Sequence, residues 1–171
     1  MNNKGFTLIE LVIAIFILTV AIIGVYSAFS TVVVLTAGAS SRLTAAYLAQ
    51  EGVEIVRNMR DNNWLNSRDW KTGLLGCGGG CEADYKTGTS PTLTLTPYPS
   101  GGNWLRIDAD NFYSYDPADN QTKFKRKITI TPQGADVLKV FVSVTWKEKD
   151  EEGCVPAGYC VEVEEYLYNW Y

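Results

Sequence analysis

The four cysteines of this 171-residue chain are the residues best suited to forming disulfide bonds or binding a metal ion. They form two close pairs, Cys77 with Cys81 and Cys154 with Cys160, with three and five intervening residues. Four cysteines allow three disulfide pairings, and four thiolates also suffice for a structural zinc site. The spacings differ from the usual zinc-knuckle pattern. They favour two disulfides closed within each pair, with crossed pairing and zinc as the alternatives.

Histidine is absent from the sequence. Its absence excludes Ser-His-Asp and Cys-His triads, the HExxH metalloprotease site and every imidazole-ligated metal. No clustered pair of acidic and basic side chains offers a general acid and base in its place. We therefore expect no enzymatic activity and no cofactor.

The charge balance, 15 basic against 19 acidic residues, argues against a nucleic-acid partner held mainly by phosphate contacts. One local exception is the alternating set Lys123, Lys125 and Lys127, which shares one face of a predicted strand. Such a row can contact phosphates. The favoured interpretation is an edge strand protected by lysines, or a lysine row facing Glu162 and Glu164 on a neighbouring strand.

An acidic loop offers oxygen atoms that suit calcium, namely those of Asp108, Asp110, Asn111, Asp116, Asp119 and Asn120. The EF-hand spacing fails because Phe112 occupies the fifth position and no glycine follows it. A solvated loop rich in turns is the favoured interpretation, with calcium as the alternative.

The apolar residues are concentrated near the N-terminus, where 20 of the 25 residues from 11 to 35 are apolar. No charge lies between Glu10 and Arg42. As a helix this stretch measures roughly 37 Å, more than the roughly 30 Å of a bilayer's hydrocarbon core. A secretory signal peptide has a shorter apolar run, and a plain membrane anchor gives no reason for Glu10.

The sequence KGFTLIE at residues 4–10, followed by this apolar stretch, resembles the class III signal of type IV pilins and pseudopilins. The resemblance implies that a prepilin peptidase cuts after Gly5 and that Phe6 becomes the N-methylated mature N-terminus. It also implies that Glu10 takes part in subunit assembly. The motif covers only some 25 residues, but its order and spacing are specific.

Membrane energetics give Glu10 an independent significance. A carboxylate within a membrane helix costs roughly 2.5–3.5 kcal/mol on insertion scales, so it needs a partner or a role. Cleavage after Gly5 would create an amine four residues before Glu10, about one helical turn away. The alternative is that Glu10 merely reaches the lipid head groups from its own end of the helix.

The helix is predicted to continue beyond the membrane stretch as an amphipathic segment that ends at Asn62 and Asn63. Its apolar face follows spacings of four and three residues: Ala45, Ala49, Gly52, Val56 and Met59. No proline precedes Pro91, so nothing in the sequence forces a kink.

Short predicted strands follow, at residues 92–96, 104–107, 123–131, 138–146 and 159–168, with a charged hairpin turn at 148–152. In the strongest strand the apolar face is Leu138, Val140, Val142, Val144 and Trp146. The predicted fold is α+β, with a long N-terminal helix packed on an antiparallel sheet. The predicted domains are a leader (1–5), a transmembrane assembly helix (6–30), its amphipathic continuation (31–63) and an extracytoplasmic head (64–171), where disulfides are favoured.

The resemblance, which extends loosely to the second half of the helix and to the head, implies a minor structural subunit of a type IV pilus-like filament. Its partners would be other pilin subunits, the prepilin peptidase, the pilus assembly machinery and the cytoplasmic membrane. It would await assembly in that membrane with its head outside. A pseudopilin of a type II secretion system, in a periplasmic pseudopilus, is the alternative. A membrane-anchored extracytoplasmic binding module is a further one.

Overall fold

The structure is a computed structural model that describes residue 5 and residues 7–90, 92–146, 154 and 159–169. The chain divides into two compact units, Met1–Ser40 and Ser41–Tyr171. Most of the predicted leader, Phe6 and the predicted turn at 148–152 lie outside the described residues.

A single helix, α1, extends over Leu8–Leu65. Thr7 precedes it and acts as its N-cap, because the Thr7 carbonyl accepts from the Leu11 N–H and its Oγ1 accepts from the Glu10 N–H at 3.3 Å. The helix ends two residues beyond the predicted Asn63, and it is continuous, as expected from the absence of proline.

In the first unit, the helix consists largely of apolar residues that no other element covers. The exposed fractions of its large apolar side chains range from 51% for Val33 to 80% for Leu8. None of the residues that the structure describes between positions 5 and 40 is buried. This surface lacks any apolar partner within the described chain.

In the second unit, one face of the same helix forms part of the core. Burial begins at Ser41. All five positions that the periodicity assigns to the packing face are buried, which confirms that part of the prediction. The five are Ala45, Ala49, Gly52, Val56 and Met59.

The second unit also contains a seven-stranded antiparallel sheet. The strands are β1 (Cys81–Glu82), β2 (Thr96–Pro97), β3 (Trp104–Ile107), β4 (Tyr113–Ser114), β5 (Asn120–Pro132), β6 (Val137–Thr145) and β7 (Cys160–Tyr168). The long strand β5 lies inside the sheet, where it pairs with β1, β3 and β6, and β7 pairs with β6. Helix and sheet together make the predicted α+β fold.

Four predicted strands correspond to observed ones, but the predicted strand at 92–96 is wrong. Only Thr96 of that segment belongs to a strand. The preceding residues form turns, in which the Leu93 N–H donates to the Ser90 carbonyl and the Gly88 N–H donates to the Leu93 carbonyl. Because these local bonds occupy the backbone, the alternation of Thr and Leu does not produce a strand here.

Contact between helix and sheet is closest at Gly52. The register places Ile128 of β5 opposite Val142 of β6, and both side chains are fully buried. A Cβ atom added at Gly52 would lie 3.0 Å from Cγ1 of Val142 and 3.2 Å from Cδ of Arg126. Only glycine allows the helix backbone to lie this close to the sheet without displacing fully buried side chains.

We predict that Gly52→Val destabilises the second unit by about 1–3 kcal/mol, the usual cost of overpacking a core. The loss should outweigh the gain in helix propensity, which is below about 1 kcal/mol. The measurement is the denaturant midpoint of the full chain in detergent micelles. Gly38→Val is the matched control, because Gly38 is helical and a Cβ there has no neighbour within 4 Å. Equal midpoints for the two variants would contradict the prediction.

Candidate functional site

The N-terminal segment exposes the residues that carry the predicted processing and assembly roles. Gly5 is exposed, and a Cβ added there would have no neighbour within 4 Å. Glu10 is also exposed, in the first turn of α1. The fold of the described residues therefore does not explain why position 5 is glycine. Phe6 lies outside the described residues.

Thr7 is a positioning residue that sequence analysis overlooked. Thr7 and Glu10 have the Thr-x-x-Glu spacing of a helix capping box, and this spacing could have predicted that the helix is capped at Thr7. The observed bond from the Glu10 N–H to Thr7 Oγ1 fixes where the helix begins. It places Glu10 in the first turn, where the positive end of the helix dipole favours a carboxylate.

The hydroxyl groups within the apolar stretch bond to their own helix. The hydroxyl of Thr19 donates to the Phe16 carbonyl at 2.8 Å, and those of Ser30 and Thr31 each donate to the Ser27 carbonyl at 3.0 Å. Polar groups satisfied in this way are compatible with a lipid environment. The helix is long and apolar enough to cross a membrane, a property that signal sequences share.

The comparison with known families matches the same segment. Residues 1–26 fit the family described as the prokaryotic N-terminal methylation motif. The chain carries the class III signal of type IV pilin-like and pseudopilin-like proteins. No curated protein and no solved structure matches the chain. The assignment therefore rests on the segment that holds Gly5, Phe6 and Glu10.

The class III signal implies processing by a prepilin peptidase and assembly into pilus-like filaments. The apolar helix is compatible with a membrane anchor. Both statements concern the N-terminal segment and not the head.

Arg126 of β5 connects three parts of the second unit, namely its own strand, α1 and the residue that follows β1. Its guanidinium is fully buried, and Nη1 donates to the Leu48 carbonyl of α1 at 2.9 Å and to the Glu51 carboxylate at 2.8 Å. Its Nη2 donates to the carbonyl of Ala83, just after β1. Removing one member of a buried charged network is strongly destabilising, so Arg126 fixes how the sheet lies on the helix. The alternation of β5 could have predicted that Arg126 is buried, since Arg126 falls on the same face of the strand as apolar residues.

A second polar contact joins the helix to strand β7. Arg57 forms ion pairs with Glu165 of β7 and with Glu54 of its own helix. The hydrogen bond with Glu165 is the main reason that the pKa of Arg57 lies above its ordinary value. The pair is about one-third exposed, so its contribution to stability is small.

The structure corrects the predicted surroundings of the lysine row. Strand β5 is not an edge strand, and β6 separates it from β7, which carries Glu162 and Glu164. Glu164 instead pairs with Lys139 of β6 at 2.7 Å. Alternation along one strand predicts which residues share a face, but it does not predict which strands become neighbours. The predicted edge position of the lysine strand and its predicted pairing with Glu162 and Glu164 are therefore both wrong.

Two of the lysines contact the segment that leads into β3. Lys125 Nζ donates to the Gly101 carbonyl at 2.6 Å and lies 4.3 Å from the centre of the Trp104 ring. Lys127 Nζ lies 5.2 Å from the centre of the Tyr98 ring. These ammonium groups attach residues 98–104 to the sheet, which is a structural role.

The acidic loop uses its carboxylates to close its own turns. Asp108 Oδ1 accepts from the N–H groups of Asp110 and Phe112, each at 2.9 Å, and its Oδ2 accepts from the Tyr85 hydroxyl at 2.9 Å. Asp116 accepts from the Ala118 N–H at 2.9 Å. These contacts support the interpretation as a loop rich in turns.

The cysteines are joined within each pair. Cys77 and Cys81 have Cα atoms 5.3 Å apart and close the 3₁₀ turn before β1, and both are buried. Cys154 and Cys160, with Cα atoms 5.5 Å apart, are joined at the start of β7. This is the local pairing that the spacing favours. A sulfur in a disulfide is not a thiolate ligand for zinc.

We predict that Tyr85→Phe raises the pKa of Asp108. The Phe112 N–H, the Tyr85 hydroxyl and the Asp110 N–H all stabilise the carboxylate, so the pKa of Asp108 lies below its ordinary value. The stabilisation this gives is complete above the unfolded-state pKa of about 4 and is lost as the pH falls through the folded-state pKa. Removing one donor should shift the carboxyl midpoint upward in an NMR titration.

The matched control for this titration is Tyr47→Phe, which removes the hydroxyl of an exposed tyrosine on α1. Its midpoint for Asp108 should equal that of the unmodified chain. An unchanged midpoint in Tyr85→Phe would show that the backbone donors alone set the pKa of Asp108.

Proposed function

We propose that the chain is a minor structural subunit of a type IV pilus-like filament, assembled through α1 after cleavage between Gly5 and Phe6. The observation that carries the proposal is the class III signal at residues 1–26, together with an apolar helix whose large side chains are 51–80% exposed before Ser41. Exposed apolar area of this extent needs lipid or other helices around it. The membrane before assembly, and neighbouring subunits afterwards, supply that environment.

The proposal gives the subunit a single pass through the cytoplasmic membrane with the head outside, and later a place on the pilus. Its partners are other pilin subunits, the prepilin peptidase and the pilus assembly machinery. We assign it no catalytic role, because the sequence lacks histidine and offers no acid and base pair. The minor class is proposed because the second half of the helix and the head resemble those of minor pilins.

We predict that Gly5→Val blocks maturation. A peptidase that must fit the chain at the membrane surface should reject a branched side chain at the cleavage position. The fold leaves space for this side chain, so the variant should still insert in the membrane. Intact mass measurement should find a protein five residues longer than the mature form.

Gly38→Val serves as the control for this experiment, since it makes the same change on α1 far from the cleavage position. Its mature mass should differ from that of the unmodified protein only by the substitution. Normal maturation of Gly5→Val would overturn the processing assignment.

We predict that Glu10→Ala inserts and is cleaved normally but enters filaments less well. Removing a charge makes the segment more apolar, so insertion should not suffer. During assembly, the amine of an incoming subunit and the carboxylate of a docked one would form a pair, and a paired charge is tolerated where an unpaired one is costly. The measurement compares the amounts of each variant in membrane and sheared-filament fractions.

Glu10→Gln tests whether the charge itself matters, because it keeps the size of the side chain. It should show the same defect as Glu10→Ala. Incorporation of both variants at the level of the unmodified protein would show that Glu10 has no part in assembly.

The same class III signal is found in pseudopilins, so the alternative is a subunit of a type II secretion system. Its filament would remain in the periplasm. Detection of the chain in filaments sheared from the cell surface, under conditions that leave the outer membrane intact, would support the pilus. Retention of the whole assembled population in the cell envelope would favour the pseudopilus.

A further inference from the structure

A polar cavity lies in the second unit, where α1 ends. Its volume is about 280 Å³, and its walls come from the last two turns of the helix, from the segment 66–73 that follows it, and from residues 88–90, 93 and 94. Gly88 and Met59 both line it, and a Cβ atom added at position 88 would lie 2.6 Å from Cγ of Met59. It is separate from the N-terminal assembly segment and depends on none of its residues.

The lining combines amides and hydroxyls with one cation. The polar residues with side chains available on this wall include Asn62, Asn66, Arg68, Thr72, Thr89 and Thr94. Met59 and Leu93 add apolar surface, and none of the described residues that line the cavity is acidic. A site of this composition suits a ligand that bears hydroxyl groups and one negative charge.

Several of these polar atoms have no partner within the part of the chain that the structure describes. The amide nitrogens of Asn62 and Asn66 donate to Asn58 Oδ1 and to the Asn62 carbonyl, which leaves both amide oxygens without a donor. The Arg68 guanidinium makes no ion pair with any described residue, and its backbone N–H caps the Asn63 carbonyl at the helix end. The two amide oxygens can accept hydrogen bonds from ligand hydroxyls, and the Arg68 guanidinium can donate two hydrogen bonds to a carboxylate. These groups therefore line the same cavity.

Size and lining narrow the ligand class. A volume of about 280 Å³ lies at the lower limit for small-molecule sites, which suits one sugar ring better than an oligosaccharide or a peptide. Among the residues that the structure describes, no aromatic ring lines the cavity to stack on a neutral sugar. Attraction between Arg68 and a carboxylate must then provide much of the affinity.

We propose that this cavity binds a sugar acid, a single ring with several hydroxyls and one carboxylate, and that Arg68 holds the carboxylate. The amide oxygens of Asn62 and Asn66 accept hydrogen bonds from the ring hydroxyls. The site would give the head a ligand-binding role in addition to its structural one. It would do so whether or not the chain polymerises.

The test is titration of the full chain, in detergent micelles, with sodium D-glucuronate, followed by NMR of the protein amides at residues 59–94. D-glucose and acetate are the comparison probes, because each carries only half of the proposed chemistry. Glucuronate should bind at least about tenfold more tightly than either, because only glucuronate combines the charge-assisted pair with the hydroxyl contacts. Equal affinity for glucuronate and glucose, or shifts outside this cavity only, would overturn the proposal.

Two pairs of variants test the binding roles of Arg68 and Asn66. Arg68→Gln should weaken glucuronate binding about tenfold, whereas Arg42→Gln, an equally exposed arginine on α1 outside the cavity, should leave it unchanged. Asn66→Asp adds a negative charge to the lining and should abolish glucuronate binding while changing the shape very little.

The control for Asn66→Asp is Asn120→Asp, which makes the same change at an exposed position that does not line the cavity. Both positions are exposed, so neither change should unfold the head. Unaltered binding in Arg68→Gln and Asn66→Asp would show that the cavity is not the site.

Discussion

Close packing between α1 and the sheet determines the arrangement of the second unit. The helix backbone at Gly52 lies near enough to Val142 that a single added carbon would be in tight contact with it. At this distance the guanidinium of Arg126 reaches a helix carbonyl, that of Leu48, and the carboxylate of Glu51. A wider separation would leave a buried cation without its partners, so the apolar contact and the charged network require one another.

The same helix meets a different constraint before Ser41. Its residues there are apolar on every side, and no charge occurs between Glu10 and Arg42. A helix that is apolar all round is stable only inside a protein, a membrane or an assembly. The described residues do not cover this part, and its length and apolar character are compatible with a membrane anchor. This requirement, combined with the class III signal, is why the proposed function is a filament subunit.

Features that depend on neighbouring residues in the sequence were predictable, and features that depend on distant ones were not. The buried face of the helix and the apolar face of β6 follow from the periodicities of the two structures, and the N-terminal motif is contiguous. The neighbours of Lys125 and Lys127 depend on strand order, which alternation does not encode. The segment at 92–96 has the pattern of a strand, but turn hydrogen bonds occupy its backbone. The cavity also escaped prediction, because its walls come from segments about 20 residues apart.

Residues that the fold does not need are the most informative about function in this chain. Gly52 is explained by its contact with Val142, and Arg126 by its buried hydrogen bonds. Gly5 has open space around it, and Glu10 places a carboxylate at the start of a helix with an apolar surface that would favour an uncharged residue. The capping bond explains why Thr7 suits its position, and the helix dipole favours the carboxylate of Glu10 in the first turn. The described fold gives no comparable reason for Gly5, and the motif implies two partners for this segment, a processing enzyme and neighbouring subunits.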